Sequence, residues 1–453
     1  MKKRFVKIAG VAAVTGLALA GLASCGSDNY VADVSDGGNV INIRVWNDEF
    51  ISRFRDYYPE IKSEDKKNEE FTLKSGKKVK FTQVANQNNA YQNALDIALK
   101  AQSTAAADDK VDIFLYEADY ALKYVNSNYS VDVKDLGITD NDTAQMYQYT
   151  KDISKANGRL KGLSWQATPG LFAYRADIAR EVFGTDDPVT IQTKLSDWDK
   201  FNQAAATLKA KGYYMLAGYD DAFRVYSNNI SKPLVQNNKI VIDQQLKNWI
   251  SQTKDFTEKG YNNKAQLWDT TWNAEQTING HTFGFFYSTW GINFTLAGNA
   301  EIKNEAGENL VGQYRVCEGP AAYYWGGTWI AAANGTDNKT EVADIMRKLT
   351  CDKAIAKKIT LDTLDYTNNQ EAMNEIANDP TYGAQFLGGQ NHVKLFAEAA
   401  KKINMKNISA FDQGISENLQ SAMKDYFNGK VTEEKAWENF YTAIKEVYPE
   451  LTH

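Results

Sequence analysis

Between residues 40 and 126, short β-branched runs alternate with segments of helical periodicity, and this rhythm limits the possible folds more than any other feature of the chain. Val40-Ile41-Asn42-Ile43-Arg44-Val45-Trp46 alternates as a strand does. Phe50 to Tyr58 fits a short helix stopped by Pro59. The Lys/Glu-rich region 60–78 reads as a solvated insertion or hairpin, and Val79 to Val84 as a second strand. Tyr91 to Lys100 carries apolar residues on one helical face. A third strand, 111–116, precedes a helix-like 119–126. The β-α-β-α-β order predicts a mainly parallel sheet covered by helices, hence an α/β fold.

The remainder follows the same grammar less regularly. A helix is predicted over 176–184, and Ser196 is a credible N-cap for a helix over 197–210. Residues 244–258 suit a helix. Thr282 to Tyr287 suits a strand, with a helix starting at Ser288. Gly326 and Gly327 permit a sharp or closely approached backbone before an apolar strand. Helices are predicted at about 340–357, 389–401, 414–427 and 432–446. A length of 453 residues suggests two or three domains. No Pro/Ser-rich linker separates them, so several chain crossings are expected to join them.

The first residues read as a leader. Lys2, Lys3, Arg4 and Lys7 precede a small-residue and apolar stretch from Ile8 to Leu22. That stretch is shorter than the roughly 20 residues that span a bilayer comfortably. Leu22-Ala23-Ser24-Cys25-Gly26 is similar to a bacterial lipobox. Residues 1–24 are therefore expected to be a lipoprotein signal peptide, with Cys25 acylated and 25–39 a flexible tether. Cys317 and Cys351 remain, and the sequence leaves open whether they pair.

Catalytic signatures are scarce. There is no GxSxG, HExxH, P-loop or dinucleotide fingerprint. His281, His392 and His453 read as structural or exposed, and the Asp362 to Asp365 region lacks a complete calcium loop. Neither a metal nor another cofactor is expected. A net charge of −6 argues against a nucleic-acid partner. Aromatic residues reach 12%, which fits either ordinary cores or an aromatic cleft.

Over residues 40–453 the chain resembles the extracellular carbohydrate-binding lipoproteins of ABC importers, the maltodextrin-binding-like solute-binding proteins of family 1. The resemblance rests on the lipobox, the strand ending in Trp46, the block Tyr91 to Lys100 before Val111 to Tyr120, and Leu195-Ser196-Asp197-Trp198. Gly162 to Asp177 is a variant of the family's YN-D segment, with Arg175 where Asn is usual. Gly284 to Trp290, Trp325-Gly326-Gly327-Thr328-Trp329 and the order of elements from Phe411 to Ile444 complete it. It implies a periplasmic-binding-protein-like fold of two α/β lobes with a central cleft and several hinge crossings. The N-terminal lobe would hold 40–160 and 326–390, and the C-terminal lobe 161–325 and 391–453. It also implies a non-enzymatic, monomeric receptor on the outer face of the cytoplasmic membrane, as on a Gram-positive cell. Cys25 would anchor it there, and it would pass a carbohydrate to ABC permease subunits.

A pyranose offers apolar faces to rings and a rim of hydroxyls to Asp, Glu, Asn, Gln and Arg. Trp46, Asn47, Asp48 and Glu49 lie just past a strand's C-terminal end, where open α/β sheets place ligands. Tyr116, Glu117 and Asp119 follow the third strand similarly, and family members bond sugar hydroxyls from the position of Asp119. Trp290, at a helix start, is the best-placed platform. Trp325 is the favoured cleft residue of the pair Trp325 and Trp329. Asp220, Asp221, Phe223 and Arg224 occupy a region that contacts sugar in the family. Trp165 and Gln166 precede the departure into the second lobe, and Asp412, with Phe411 and Gln413, lies in a late loop. Trp268, Trp272 and Asn273 are weaker candidates. Several stacking positions suggest an oligosaccharide. Two other readings stand beside this one: a secreted glycan hydrolase using paired carboxylates, and an ABC receptor for a non-sugar polar solute.

Overall fold

The computed structural model describes residues 30–453, and the leader with Cys25 lies outside them. Two sheets organise the chain. The larger has seven strands in the order 61–65, 70–73, 78–83, 40–45, 113–117, 328–332, 163–164. Val40–Val45 pairs in parallel with Lys78–Gln83 and Ile113–Glu117. Its other pairings are antiparallel. The sheet is therefore mixed, where a mainly parallel one was expected. The cause is topological: residues 61–73 form a hairpin, and Thr328–Ala332 enters from the far end of the chain with no crossover helix to enforce parallel pairing. The smaller sheet is fully antiparallel, with Gly170–Arg175 between Gly284–Ser288 and Tyr314–Cys317.

The central strands Ile113–Glu117 and Thr328–Ala332 of the large sheet, and Gly170–Arg175 and Gly284–Ser288 of the small one, are covered on both faces and buried along nearly their whole length, whereas Ile61–Asp65 and Lys78–Gln83 are largely polar and exposed. Ile41, Ile43 and Val45 meet Phe50 and Phe54 of the helix Glu49–Tyr57, with Ile345 and Met346 of Lys339–Cys351. The opposite face packs Phe114 and Tyr116 against Leu95, Leu99 and Trp329. In the smaller sheet Phe172 and Phe286 meet the helices Trp198–Ala210, Gln244–Lys259 and Asp412–Phe427. Its other face packs Ala173, Phe285 and Tyr287 against Gln370–Ala377 and His392–Ala400.

Local signals account for most helix boundaries. Asp197, not Ser196, caps Trp198–Ala210 by accepting from Lys200 N at 2.9 Å. A carboxylate so placed also meets the helix dipole favourably. The single helix expected over 340–357 is two, because Asp352 is extended and caps Lys353–Thr363 through Ile355 N. Cys317 and Cys351 are free thiols.

Three segments carry the chain between the sheets and run side by side. Ala167 N donates to Tyr366 O at 3.2 Å, Asn368 N to Trp165 O at 2.8 Å, and Trp325 N to Thr168 O at 3.3 Å. Leu163–Ser164 still pairs in the large sheet, whereas Ala372, Met373 and Ile376 pack beside the small one. Packing thus changes partner near 165–169 and 364–369.

Gly170 sits where two of these segments touch. Its N–H donates to Tyr323 O at 2.8 Å, and a Cβ there would lie 2.2 Å from the Tyr323 ring. That ring is buried, with its hydroxyl 2.8 Å from the carbonyls of Leu171 and Tyr287, so it has no room to yield. Gly170→Ala is expected to cost about 1–3 kcal/mol. Thermal denaturation followed by circular dichroism checks this, and an unchanged Tm would contradict the packing.

Candidate functional site

Where the small sheet ends, three tryptophans form a wall. Trp290 follows the strand Gly284–Ser288 and opens into a π-helical turn, Ile292–Ala297, a geometry frequent at functional sites. Its indole N–H donates to Trp325 O at 3.0 Å, with ring centroids 5.2 Å apart. Trp268 stacks on Trp290 at 6.2 Å and lies 5.9 Å from Trp325. Buried Tyr287 stacks behind Trp325, and buried Trp272 meets Trp268 edge-on. Trp268 remains 43% exposed, and neighbouring Phe294 52% exposed. Large rings left in water at the end of a sheet mark a binding surface rather than a core.

The loop bearing Trp268 is held under strain. Trp268 has φ +72°, a left-handed conformation that bulky residues rarely adopt. Asp220 accepts from Leu267 N at 3.2 Å. Asp221 accepts from the Trp272 indole at 2.7 Å and from Gly218 N at 2.7 Å. Burial pushes these carboxyls up, Asp220 to about 6 and Asp221 to about 7.

Charged groups from both sheets meet beside the wall. Asp119, just past the strand Ile113–Glu117, accepts both Arg224 Nη atoms at 2.7 and 2.6 Å. Arg224 stands on the short helix Phe223–Ser227, which packs in the small sheet's core. Burial opposes its charge, but Asp119 outweighs burial and holds its pKa above the ordinary value. Glu117 flanks the same place. A Cβ on Gly326 would lie 3.6 Å from Glu117 Oε1 and 3.3 Å from Trp290 Nε1, and φ +71° there favours glycine. Burial, reinforced by Asp119, drives the Glu117 carboxyl well above the usual range. Burial likewise raises Asp412 to about 7. Nearby, Gln92 Nε2 donates to Gln413 Oε1 at 2.7 Å, and Gln413 Nε2 donates to Asn86 O and Glu417 Oε1 at 2.9 Å each.

The profile of the bacterial extracellular solute-binding proteins matches residues 68–384. The chain belongs to that family. No curated protein matches it in sequence. Solved structures align over nearly the whole molecule. An extracellular solute-binding protein of family 1 is 17% identical, with TM-score 0.69 over 90% of this chain and 99% of its own. The ABC-transporter-associated binding protein from B. animalis subsp. lactis Bl-04, solved with beta-1,6-galactobiose, is 17% identical with TM-score 0.65, covering 90% and 97%. The GacH receptor of Streptomyces glaucescens GLA.O, solved unliganded and with acarbose, is 14% identical with TM-score 0.64, covering 92% and 100%. At these identities the likeness is one of fold: two α/β lobes about a cleft, as in periplasmic binding proteins.

In this solute-binding protein the expected site residues are distributed over several places. Glu117, Asp119, Arg224, Trp290, Trp325 and Asp412 come together. Trp46 adjoins them, half-buried, with its ring edge-on to Tyr91 and Tyr120. Asp220 and Asp221 hold the Trp268 loop rather than face the wall. Tyr116, Trp165, Phe223 and Trp329 are 2% exposed or less and belong to cores. Tyr116 stacks in parallel on Trp329 at 6.0 Å, and Trp165 on Phe50 at 5.4 Å. Tyr116 and Trp329 are cross-strand partners in central strands of the large sheet, and Phe223 faces the core from its helix. Glu49 accepts from Gln166 Nε2 at 2.7 Å beside Arg53 and Asp365 at the crossing segments, and burial raises it to about 7. Asn47 accepts from Glu49 N, and Asp48 is exposed.

Glu417 and Phe294 also stand at the site, outside the expected set. Glu417 was within reach of the sequence, since it lies one helical turn beyond Gln413. Among the described residues, no group of three or more His, Cys, Asp or Glu could hold a metal. The arrangement suits a ligand with flat apolar faces and a polar rim.

The two tryptophans of the loop have separable roles. Trp272→Phe leaves Oδ1 of the buried Asp221 without its donor and is expected to cost about 1–3 kcal/mol in urea denaturation. Trp268→Ala removes an exposed ring and should change stability by less than about 0.5 kcal/mol. The reverse order would contradict the assignment.

Proposed function

We propose that this solute-binding protein captures an oligosaccharide by closing its cleft and delivers it to the permease of an ABC importer. The observation that carries this reading is the wall of Trp268, Trp290 and Trp325 beside the Asp119–Arg224 pair. Ring faces of this kind take the C–H faces of a pyranose, and the charged groups take its hydroxyl rim. Exposed Trp268 and Phe294 extend the platform beyond one ring, which favours a chain of sugars over a monosaccharide. The similar folds solved with beta-1,6-galactobiose and with acarbose support the ligand class.

Under this reading, one lobe is built on the seven-stranded sheet and the other on the three-stranded sheet. The three crossing segments act as the hinge. Asp119 and Arg224 approach from opposite lobes, so closure brings them together. The protein acts as a monomer outside the cytoplasmic membrane, tethered through acylated Cys25. The oligosaccharide is bound and released unchanged.

Titration calorimetry of the purified protein against mono- and oligosaccharides tests the reading. Oligosaccharides are expected to bind, and Trp290→Ala to weaken them by about ten- to a hundredfold while leaving Tm within a few degrees. Stabilisation by peptides or polyamines alone, with no response to any sugar, would contradict it.

A further inference from the structure

The charge around the tryptophan wall is unbalanced. Glu117, Asp119, Asp412 and Glu417 gather there, and Arg224 is the basic side chain whose charge bears on Glu117, Asp412 and Glu417. Arg224 spends both ends of its guanidinium on Asp119. Glu417 accepts from Gln413, and Asp412 from Ser409 N and Oγ. Glu117 is different. Among the described residues its side chain accepts one long hydrogen bond, from Asp119 N to Oε2 at 3.3 Å. Its Oε1 is turned toward the gap between Gly326 and Trp290. The half-buried Glu117 thus has a carboxylate oxygen left unanswered at one edge of the wall.

A neutral hydroxyl could donate to Glu117 but would leave the negative excess untouched. An ammonium would donate and also neutralise it, and desolvated charge is costly unless paired. The adjoining indole faces attract a cation as well. We propose that the ligand is a cationic glycan, an oligosaccharide with at least one free amine on its sugar rings, and that Glu117 receives the ammonium beside Trp290. This rests on the carbohydrate reading above and narrows it to amino sugars.

The test uses calorimetry on the intact protein with gluco- and galacto-configured oligosaccharides. Each is supplied as the free hexosamine, the N-acetylated form and the unsubstituted hexose. The free amine should bind about tenfold tighter or more than either counterpart. Glu117→Gln, which keeps the acceptor and removes the charge, should reduce that ratio to near one. Equal or tighter binding of the acetylated or unsubstituted forms overturns the proposal and leaves the carbohydrate reading standing. Binding of spermidine with no binding of any sugar overturns both. The comparison among ligands on the unaltered protein needs no variant, so a folding defect in Glu117→Gln does not affect its outcome.

Discussion

The two-toothed ion pair between Asp119 and Arg224 is the contact on which the site depends. Each partner comes from an element packed in a different core, so the pair ties the end of the large sheet to the short helix beside the small one. Both side chains are largely removed from water, 9% exposed for Asp119 and 21% for Arg224. A pair so placed has a large desolvation cost to offset and contributes little net stability, but losing one partner is severe. Its value is geometric. The fork fixes the relative position of two surfaces, and with them the distance from Glu117 to the tryptophan wall.

The wall itself is a supported structure. Trp268 is exposed and strained, yet Asp220 and Asp221 pin the loop on both sides of it, and Trp272 and Tyr287 back the rings with buried aromatic surface. Asp220 and Asp221, expected in a ligand site, instead hold the loop that carries the Trp268 ring. Such rigidity reduces what binding must spend on ordering the site. The π-helical turn after Trp290 has a matching role, since it sets Phe294 outward beside Trp290.

Much of this was legible in the sequence, for physical reasons. The strands around Ile43 and Leu115 and the helices at 91–100 and 244–258 showed clear periodicity, because each presents one pattern to one environment. Trp290 and Trp325 were legible from position, at a strand end and beside glycines. The failures share one cause, which is that single-chain patterns do not reveal which partner an element meets. Trp329 and Tyr116 look like Trp325 and Glu117 in sequence. Only the pairing of Thr328–Ala332 with Ile113–Glu117 stacks the first two rings inside a core. The mixed sheet, the antiparallel strand Tyr314–Cys317 and the helix Gln370–Ala377 were hidden for the same reason. Ser196 and Asp197 are both good caps, and one residue of register decided between them.

The central claim is that one ligand site is built from both sheets, with the tryptophan wall on one side and the acidic groups on the other. Hydrogen–deuterium exchange with a saturating oligosaccharide tests it most directly. Backbone amides around 117–121, 223–228, 268–273, 290–296 and 325–327 should all slow together on binding, because the ligand bridges them. Protection confined to segments of one sheet, or appearing only elsewhere, would contradict the account.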